Sequence, residues 1–483
     1  MMRLRTSYLS RLFAGAFVMA SLNACSNSDG GNNNVVLPGD PAHNGGSDPG
    51  NIQIPTPWNT LTWTYELVEG DDPAHAAGFQ GKLVRGNDGT MYYGYLKYAY
   101  REATCDIAAF AGGPAPGVNY SLKVGVRAPG ADTWAIETVP LENVGVAYVT
   151  SRFGLDAAID NQGHPVFATA AGAEGLASCG SGDLVLATRN GSSSYSLTAP
   201  ATASGNCCNI CPVPAPANLT CCVDPACTSG TDVGAWAAID RSATGTLGVA
   251  YMDYHNFWDE DGQNHAGIEL WESSGGFSGI RPWSGQGIYS AFRYTGNSAI
   301  VAFSGQKSGG LQVLRKDNND WVATPISNLF NAWDIGERIQ LAVAPDGTVG
   351  LLFHAAKNSS GVRVNELYYC STADGGATWS QCQLVDTGVG GNPALAFDSA
   401  NHPVASYYYC GPNSTCPQSS DRPRLAFRDS LLAWWQFDLY NEADKSAGLY
   451  TTLVLDPTTG EPTLAFQDLT RGAAMVAQGH FQN

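Results

Sequence analysis

The densest run of groups able to bind or react is Asp253-Tyr254-His255-Asn256-Phe257-Trp258-Asp259-Glu260-Asp261-Gly262-Gln263-Asn264-His265. Asp259, Asp261 and Asn264 offer the hard oxygen ligands that Ca²⁺ takes, and Gly262 allows a turn between them. No glutamate follows at the spacing of a helix–loop–helix calcium loop, so Ca²⁺ is an optional ligand and no cofactor is required. His255 and His265 beside these acids would suit a transition metal instead. Tyr254 and Trp258 carry flat faces on which a sugar ring can stack. Elsewhere, Arg152 and Arg338 each precede an apolar strand, and two converging guanidinium groups could hold a carboxylate. Local acids, Asp156 and Asp334, are their alternative partners. His354 reads as a packed residue at the end of a strand. A Gly-x-Ser-x-Gly elbow, a His-Glu-x-x-His pair and a phosphate-cradling loop are all missing, so no catalytic residue is assigned.

These residues hang on a repeat. Its unit is an apolar strand, a turn rich in Asp, Gly or Asn, and a second apolar strand, as in LDAAIDNQGHPVFATA and IQLAVAPDGTVGLLFHA. Seven such hairpins occur, with turn residues Gly89, Gly163, Gly245, Gly296, Gly347, Asn401 and Gly460. Glycine and asparagine recur there because a tight hairpin needs a positive φ, which they accept at low cost. His164 and His402 occupy the same place after two of these turns, ahead of Pro165 and Pro403, and are turn residues. Each hairpin is followed by a third strand (YSLKVGV, GDLVLAT, GIELWES, GLQVLRK, NELYYCS, RLAFRDS, AAMVAQG). A fourth then begins with an aromatic: Trp134, Tyr195, Phe277, Trp321, Trp379 or Trp434. Four strands per unit is the content of a propeller blade. The last unit lacks its own fourth strand, whereas an unclaimed one, around Trp63, precedes the first hairpin. The expectation is an all-β, seven-bladed β-propeller over 58–483, closed by that N-terminal strand, with six or eight blades as the alternatives. In a propeller the connections ahead of first strands and between second and third strands open on the mouth of the central channel. That places Arg152, Arg338 and the Asp253–His265 segment at the mouth.

One unit carries a more specific signature. Thr372-Ala373-Asp374-Gly375-Gly376-Ala377-Thr378-Trp379 resembles the Asp-box (BNR repeat) of sialidase-like propellers. The resemblance implies that the box staples the turn between third and fourth strands, away from the catalytic face. It also implies, for a true sialidase, an arginine triad, a Tyr–Glu nucleophile pair and an Asp acid/base. The Arg-Ile-Pro expected near the first blade is missing, and only one box is clear.

The N-terminus reads as an export signal, with Arg3, Arg5 and Arg11 ahead of an apolar run and Leu22-Asn23-Ala24-Cys25 at its end. The last four residues resemble the bacterial lipobox, which implies cleavage after residue 24 and lipidation of Cys25. Ser26 in place of Asp points to the outer membrane or cell surface. Residues 25–57, rich in Gly, Asn, Ser and Pro, read as a flexible tether. Loss of the signal leaves 22 basic against 43 acidic residues, a balance that excludes nucleic-acid partners. Twelve further cysteines in an oxidising compartment imply disulfides: Cys370 with Cys382 and Cys410 with Cys416. Six more lie between Cys207 and Cys227, in a stapled insertion over 205–229 whose pairing stays open. The functional expectation is a surface lipoprotein whose propeller binds a glycan or an envelope or extracellular protein. Tyr254, His255, Trp258, Arg152 and Arg338 are its candidate contacts. The alternatives are a secreted sialidase-like hydrolase or lyase, and a structural envelope component with a plugged mouth.

Overall fold

The structure is a computed structural model. It describes residues 54–100, 118–141, 148–149, 154–172, 183–201, 233–258, 264–274, 276–279, 287–305, 311–317, 320–324, 326, 334–335, 339–359, 362–411, 421–440 and 445–482. Cys25, Arg152, Arg338, Asp259, Asp261, Cys416 and the 207–227 cysteines lie outside the described residues. So do the side chains of Tyr254, His255, Trp258 and Asn264.

Apart from two single 3-10 turns, Trp58–Thr60 and Pro73–His75, every described element is a strand. The first, β1 (Leu61–Glu69), stands alone in the chain. Blade 1 is β2 (Phe79–Arg85), β3 (Met91–Tyr100), β4 (Val118–Arg127) and β5 (Ala135–Thr138). A short β6 (Tyr148–Val149) pairs with both β4 and the next blade. Blade 2 is β7 (Leu155–Ile159), β8 (Pro165–Gly172), β9 (Asp183–Gly191) and β10 (Ser194–Ala201). Blade 3 is β11 (Val233–Arg241), β12 (Leu247–Trp258), β13 (Asn264–Glu272) and β14 (Gly276–Gly279). Blade 4 is β15 (Gly287–Thr295), β16 (Ser298–Gly305), β17 (Leu311–Asp317) and β18 (Asp320–Thr324). Ahead of blade 5 comes β19 (Asp334–Ile335), which extends the sheet of β20 (Gln340–Val343), β21 (Val349–Ser359), β22 (Val362–Thr372) and β23 (Gln383–Thr387). Blade 6 is β24 (Val389–Phe397), β25 (Pro403–Tyr409), β26 (Arg422–Arg428) and β27 (Trp434–Asp438). Blade 7 is β28 (Ala447–Leu455), β29 (Pro462–Asp468), β30 (Ala473–Phe481) and, returning from the start of the chain, β1.

The closure is antiparallel, with Leu61 opposite Phe481 and Glu69 opposite Ala474. It pairs the last blade's open edge with the first strand of the chain. The seven hairpin turns fall where the repeat places them, and all seven turn residues have positive φ, from +63° at Gly296 to +89° at Gly245. Asp160 and Asp398 show why an acid precedes the turn: each Oδ1 accepts two turn amides, among them those of His164 and His402 at 2.8 Å. The His402 ring also meets Asp398 at 3.0 Å, so both histidines are structural.

No single core exists. Apolar layers fill the wedges between neighbouring blades instead, for example Leu96, Leu122, Leu155 and Phe167 between blades 1 and 2. Leu352, Leu367, Ala405 and Tyr407 do the same between blades 5 and 6. Successive residues of each second strand face alternate wedges, as the two-residue period of a strand requires.

Two details differ from the sequence reading. Trp379 sits four residues ahead of β23 rather than opening it, packed against the wedge between blades 4 and 5. The segment from Asp253 is not an open acidic loop either. Backbone pairing continues to Trp258 opposite Asn264, so only 259–263 are left as a connection and Asn264 belongs to a strand. Tyr254, Phe257 and Trp258 are β-prone and favour extension of the hairpin to Trp258.

Candidate functional site

The seven innermost strands, one from each blade, converge on a narrow cavity of about 50 Å³ on the propeller axis. Its walls carry one side chain per blade at the same repeat position: Lys82, Asp156, Ala238, Ala291, Gln340, Ala394 and Thr452. Small-molecule pockets are usually several times larger, on the order of 300 Å³ or more. The channel is closed by charge. Lys82 Nζ lies 2.8 Å from Asp156 Oδ1, and Arg293 lies 3.8 Å from Asp156 Oδ2. Asp156 Oδ2 also accepts the Ile239 amide at 3.0 Å, as the Thr452 hydroxyl accepts that of Leu83 at the equivalent place between blades 7 and 1. Burial pushes the Asp156 pKa up, but Lys82, Arg293 and the Ile239 amide together hold it below the ordinary carboxylate value. Asp240, in the next layer, is the reverse case. Burial raises its pKa, only partly opposed by Arg293 and the Tyr294 amide. Asp156 therefore pairs with Lys82 and Arg293, a partnership the sequence reading did not anticipate.

On the mouth side of this plug, the inner strands bend at a bulge. Five non-glycine residues there have left-handed backbone: Gln80 (φ +53°), Trp236 (+55°), Tyr289 (+59°), Asn392 (+54°) and Tyr450 (+57°). Each coincides with a register shift against its second strand. In blade 2 the same bend is made by Gly154 (+70°). In blade 5 the equivalent place is that of Arg338. The bend turns a carbonyl toward the next blade, where Ser290 Oγ donates to Trp236 O at 2.8 Å and Thr451 Oγ1 to Asn392 O at 2.6 Å. Trp236 and Tyr289 line the cavity and meet edge to face, centroids 4.7 Å apart. Both are half-buried, whereas Gln80 is buried. The sequence reading missed this ring, although its signal was present. Four of the six described bends sit nine residues ahead of the turn residue, just upstream of the apolar strand; Tyr289 and Tyr450 sit seven and ten ahead.

Tyrosine–carboxylate pairs are frequent, and those described lie between strands and blades. Tyr407 donates to Asp386 at 2.5 Å, and Arg424 joins Asp386 (2.8 Å) to Asp438 (2.5 Å). Tyr408 and Ser446 both donate to Asp421 Oδ2. Tyr195 and Arg189 share Glu137. Burial first, and then the adjacent carboxylate, raises the phenol pKa at Tyr195, Tyr407 and Tyr408. A phenol so shifted is held protonated and donates its hydrogen bond to the carboxylate beside it. His354 lies within β21 rather than at its end and is buried. Among the described residues, no three of His, Cys, Asp or Glu cluster as a metal would require.

The 372–379 segment turns β22 into β23, the place between third and fourth strands where it was expected. Asp374 accepts the Thr378 amide at 2.9 Å and hydroxyl bonds from Thr372 and Thr378 at 2.7 and 2.6 Å, which hold its carboxyl well below the usual range. Cys370 and Cys382 are bonded across this turn. Cys410 is buried and also disulfide-bonded.

Fold and site thus define a seven-bladed β-propeller whose described residues bring charged groups together at the axis and aromatic and amide residues to its mouth side. No family model matches this chain, and no curated protein does. Among solved structures it is similar to a protein of unknown function from Dyadobacter fermentans, at 12% identity over 88% of this chain and 100% of that one, TM-score 0.46. It is also similar to a Penicillium chrysogenum α-L-arabinanase complexed with arabinobiose, at 10% identity over 86% and 98%, TM-score 0.47. A Hadza microbial sialidase is similar at 13% identity over 86% and 68%, TM-score 0.46.

Proposed function

We propose that this chain is an exported, lipid-anchored propeller that binds a glycan at the mouth of its plugged channel, as a recognition protein rather than a hydrolase. The observation that carries this is the choice of residues at the bulge. Gly154 makes the bend without strain, yet five other blades place Gln80, Trp236, Tyr289, Asn392 and Tyr450 there. A left-handed backbone costs an L-residue roughly 1–2 kcal/mol. Strain retained at one repeat position, with aromatic and amide side chains, is what a binding site would use and a scaffold would not. Aromatic faces stack on sugar rings and an amide exchanges hydrogen bonds with hydroxyls. The plug is what a purely structural envelope component would also show, but that reading leaves the strained aromatics unexplained.

The test is a glycan-array screen of the Cys25→Ser chain, followed by titration of Trp236→Ala and Tyr289→Ala. Each should weaken binding about 5- to 13-fold, the scale of a lost stacking contact of roughly 1–1.5 kcal/mol, without loss of fold. Unchanged affinity in both variants, or turnover of a glycoside at enzymatic rates, would overturn the reading.

A further inference from the structure

The face carrying the turns between first and second and between third and fourth strands holds one feature the architecture does not need. Blade 6 passes from β26 to β27 through Asp429-Ser430-Leu431-Leu432-Ala433. The turn is built on Asp429, whose Oδ1 accepts the amides of Leu431 and Ala433 and whose Oδ2 accepts Trp435 Nε1, each at 2.9 Å. None of this calls for apolar side chains. Yet Leu431 is 85% and Leu432 57% exposed, more than any other large hydrophobic side chain among the described residues. Leu432 also stands at φ +67°, where glycine would cost less. The corresponding segments of blades 1 to 5 read Ala-Pro-Gly-Ala-Asp, Gly-Ser-Ser, Ser-Ser-Gly, Asn-Asn and Ala-Asp-Gly-Gly. The leucines are peculiar to blade 6.

Blade 6 is also where the chain joins the body. β1 starts opposite Phe481, at the turn end of blade 7. Just ahead of it Trp58 stacks on Phe427, centroids 4.4 Å apart, and meets Phe481 edge-on. Phe427 precedes Leu431 by four residues. The described chain therefore begins on the turn face, at Ile54 and Trp58, against the strand that leads into the leucine pair. Twenty-eight residues separate Cys25 from Ile54, and a flexible chain of that length spans roughly 30 Å.

We propose that the turn face lies against the bilayer to which Cys25 is anchored, with Leu431 and Leu432 dipping into its interfacial layer. The mouth, with Trp236 and Tyr289, then points away from the membrane toward its ligand. The proposal rests on the lipid-anchor reading above. The acyl chains supply the affinity, since two leucines alone bind a membrane only marginally, and the leucines supply orientation. The 22 basic against 43 acidic residues left after loss of the signal give no attraction to anionic headgroups, which leaves apolar insertion as the means of contact.

The test uses the full-length lipidated chain in phosphatidylethanolamine–phosphatidylglycerol vesicles that contain a phospholipid with a diazirine in its acyl chain. Photo-adducts are mapped by mass spectrometry, and the N-terminal peptide is weighed for acylation. Adducts should concentrate on the peptide holding Leu431 and Leu432. They should fall about five-fold or more in the Leu431→Ser/Leu432→Gly variant, given the lost apolar contact. Leu432→Gly relieves the left-handed backbone, so that variant should melt no lower than the parent, which separates lost contact from lost fold. With Cys25 acylated, adducts on the mouth-side segments, or none on the body, overturn the orientation and leave the anchor standing. An unacylated Cys25 overturns both.

Discussion

Replacing Asp156 by alanine would remove the carboxylate that faces both Lys82 and Arg293 beside a cavity of about 50 Å³. Asp156 is 8% exposed, so its loss breaks a mostly buried ion pair, at a cost of roughly 3–5 kcal/mol. The Ile239 amide, 3.0 Å from the carboxylate, also loses its acceptor, which adds about 1–3 kcal/mol if no water replaces it. The Lys82 side chain keeps 17% exposure and can turn toward solvent, so a total of about 4 kcal/mol is expected. Asp156→Asn preserves an acceptor for Ile239 and should cost about 1–2 kcal/mol less. The assay is urea unfolding of the oxidised chain at pH 7 and pH 3. The sign follows from the depressed folded pKa. The carboxylate's contribution is present above the unfolded value of roughly 3.9 and is lost as pH falls through the folded value. The penalty of Asp156→Asn should therefore be full at pH 7 and shrink at pH 3. Equal stability of parent and Asn variant at pH 7, or a penalty independent of pH, would refute the claim that charge holds the channel.

Asp240 should behave oppositely. Its folded pKa is raised by burial, so it contributes stability below the unfolded value that is lost as pH rises through the folded one. Asp240→Asn retains an acceptor for the Tyr294 amide, 2.7 Å away, and should make the chain more stable than the parent at pH 7. The two should converge below about pH 4, as thermal melts at both pH values would show. Trp58→Ala removes a ring only 6% exposed, packed on Phe427 and Phe481. It should cost roughly 3–5 kcal/mol and loosen β1 first, so limited proteolysis should cut within 58–69 before any other described strand.

The fold was legible because each blade repeats a turn with a strong local requirement. Gly89, Gly163 and Gly347 mark positions where positive φ is close to obligatory for a short hairpin, and regular spacing does the rest. Closure was legible for a different reason: a fourth strand was missing at the end of the chain and spare at its beginning. The segment from Asp253 to His265 misled because its acids suggested a loop, whereas β12 and β13 pair again beyond an irregularity after Asp253, with Phe257 opposite His265 and Trp258 opposite Asn264. The partners of Asp156 were not legible. Lys82 and Arg293 stand 74 and 137 residues away, and only the ring geometry brings three inner strands to one axis.

The bulge ring shows where pattern reading stops and strain takes over. A positive φ at a turn glycine is announced by residue type, but at Trp236 or Tyr450 the residue type argues against it. Sequence reasoning assigns such residues to a strand face and moves on. The backbone contradicts that at the same place in blade after blade, and Gly154 gives the comparison within one molecule: the bend belongs to the ring, the side chain to the blade. Ser290 and Thr451 stitch the turned carbonyls to the neighbouring blades, so the wedges between blades over-determine the bend whatever residue occupies it. That fixes the backbone of the position, so any residue other than glycine there carries the left-handed cost and is kept for its side chain. A propeller can therefore change what its mouth recognises, blade by blade, without altering the ring that presents it.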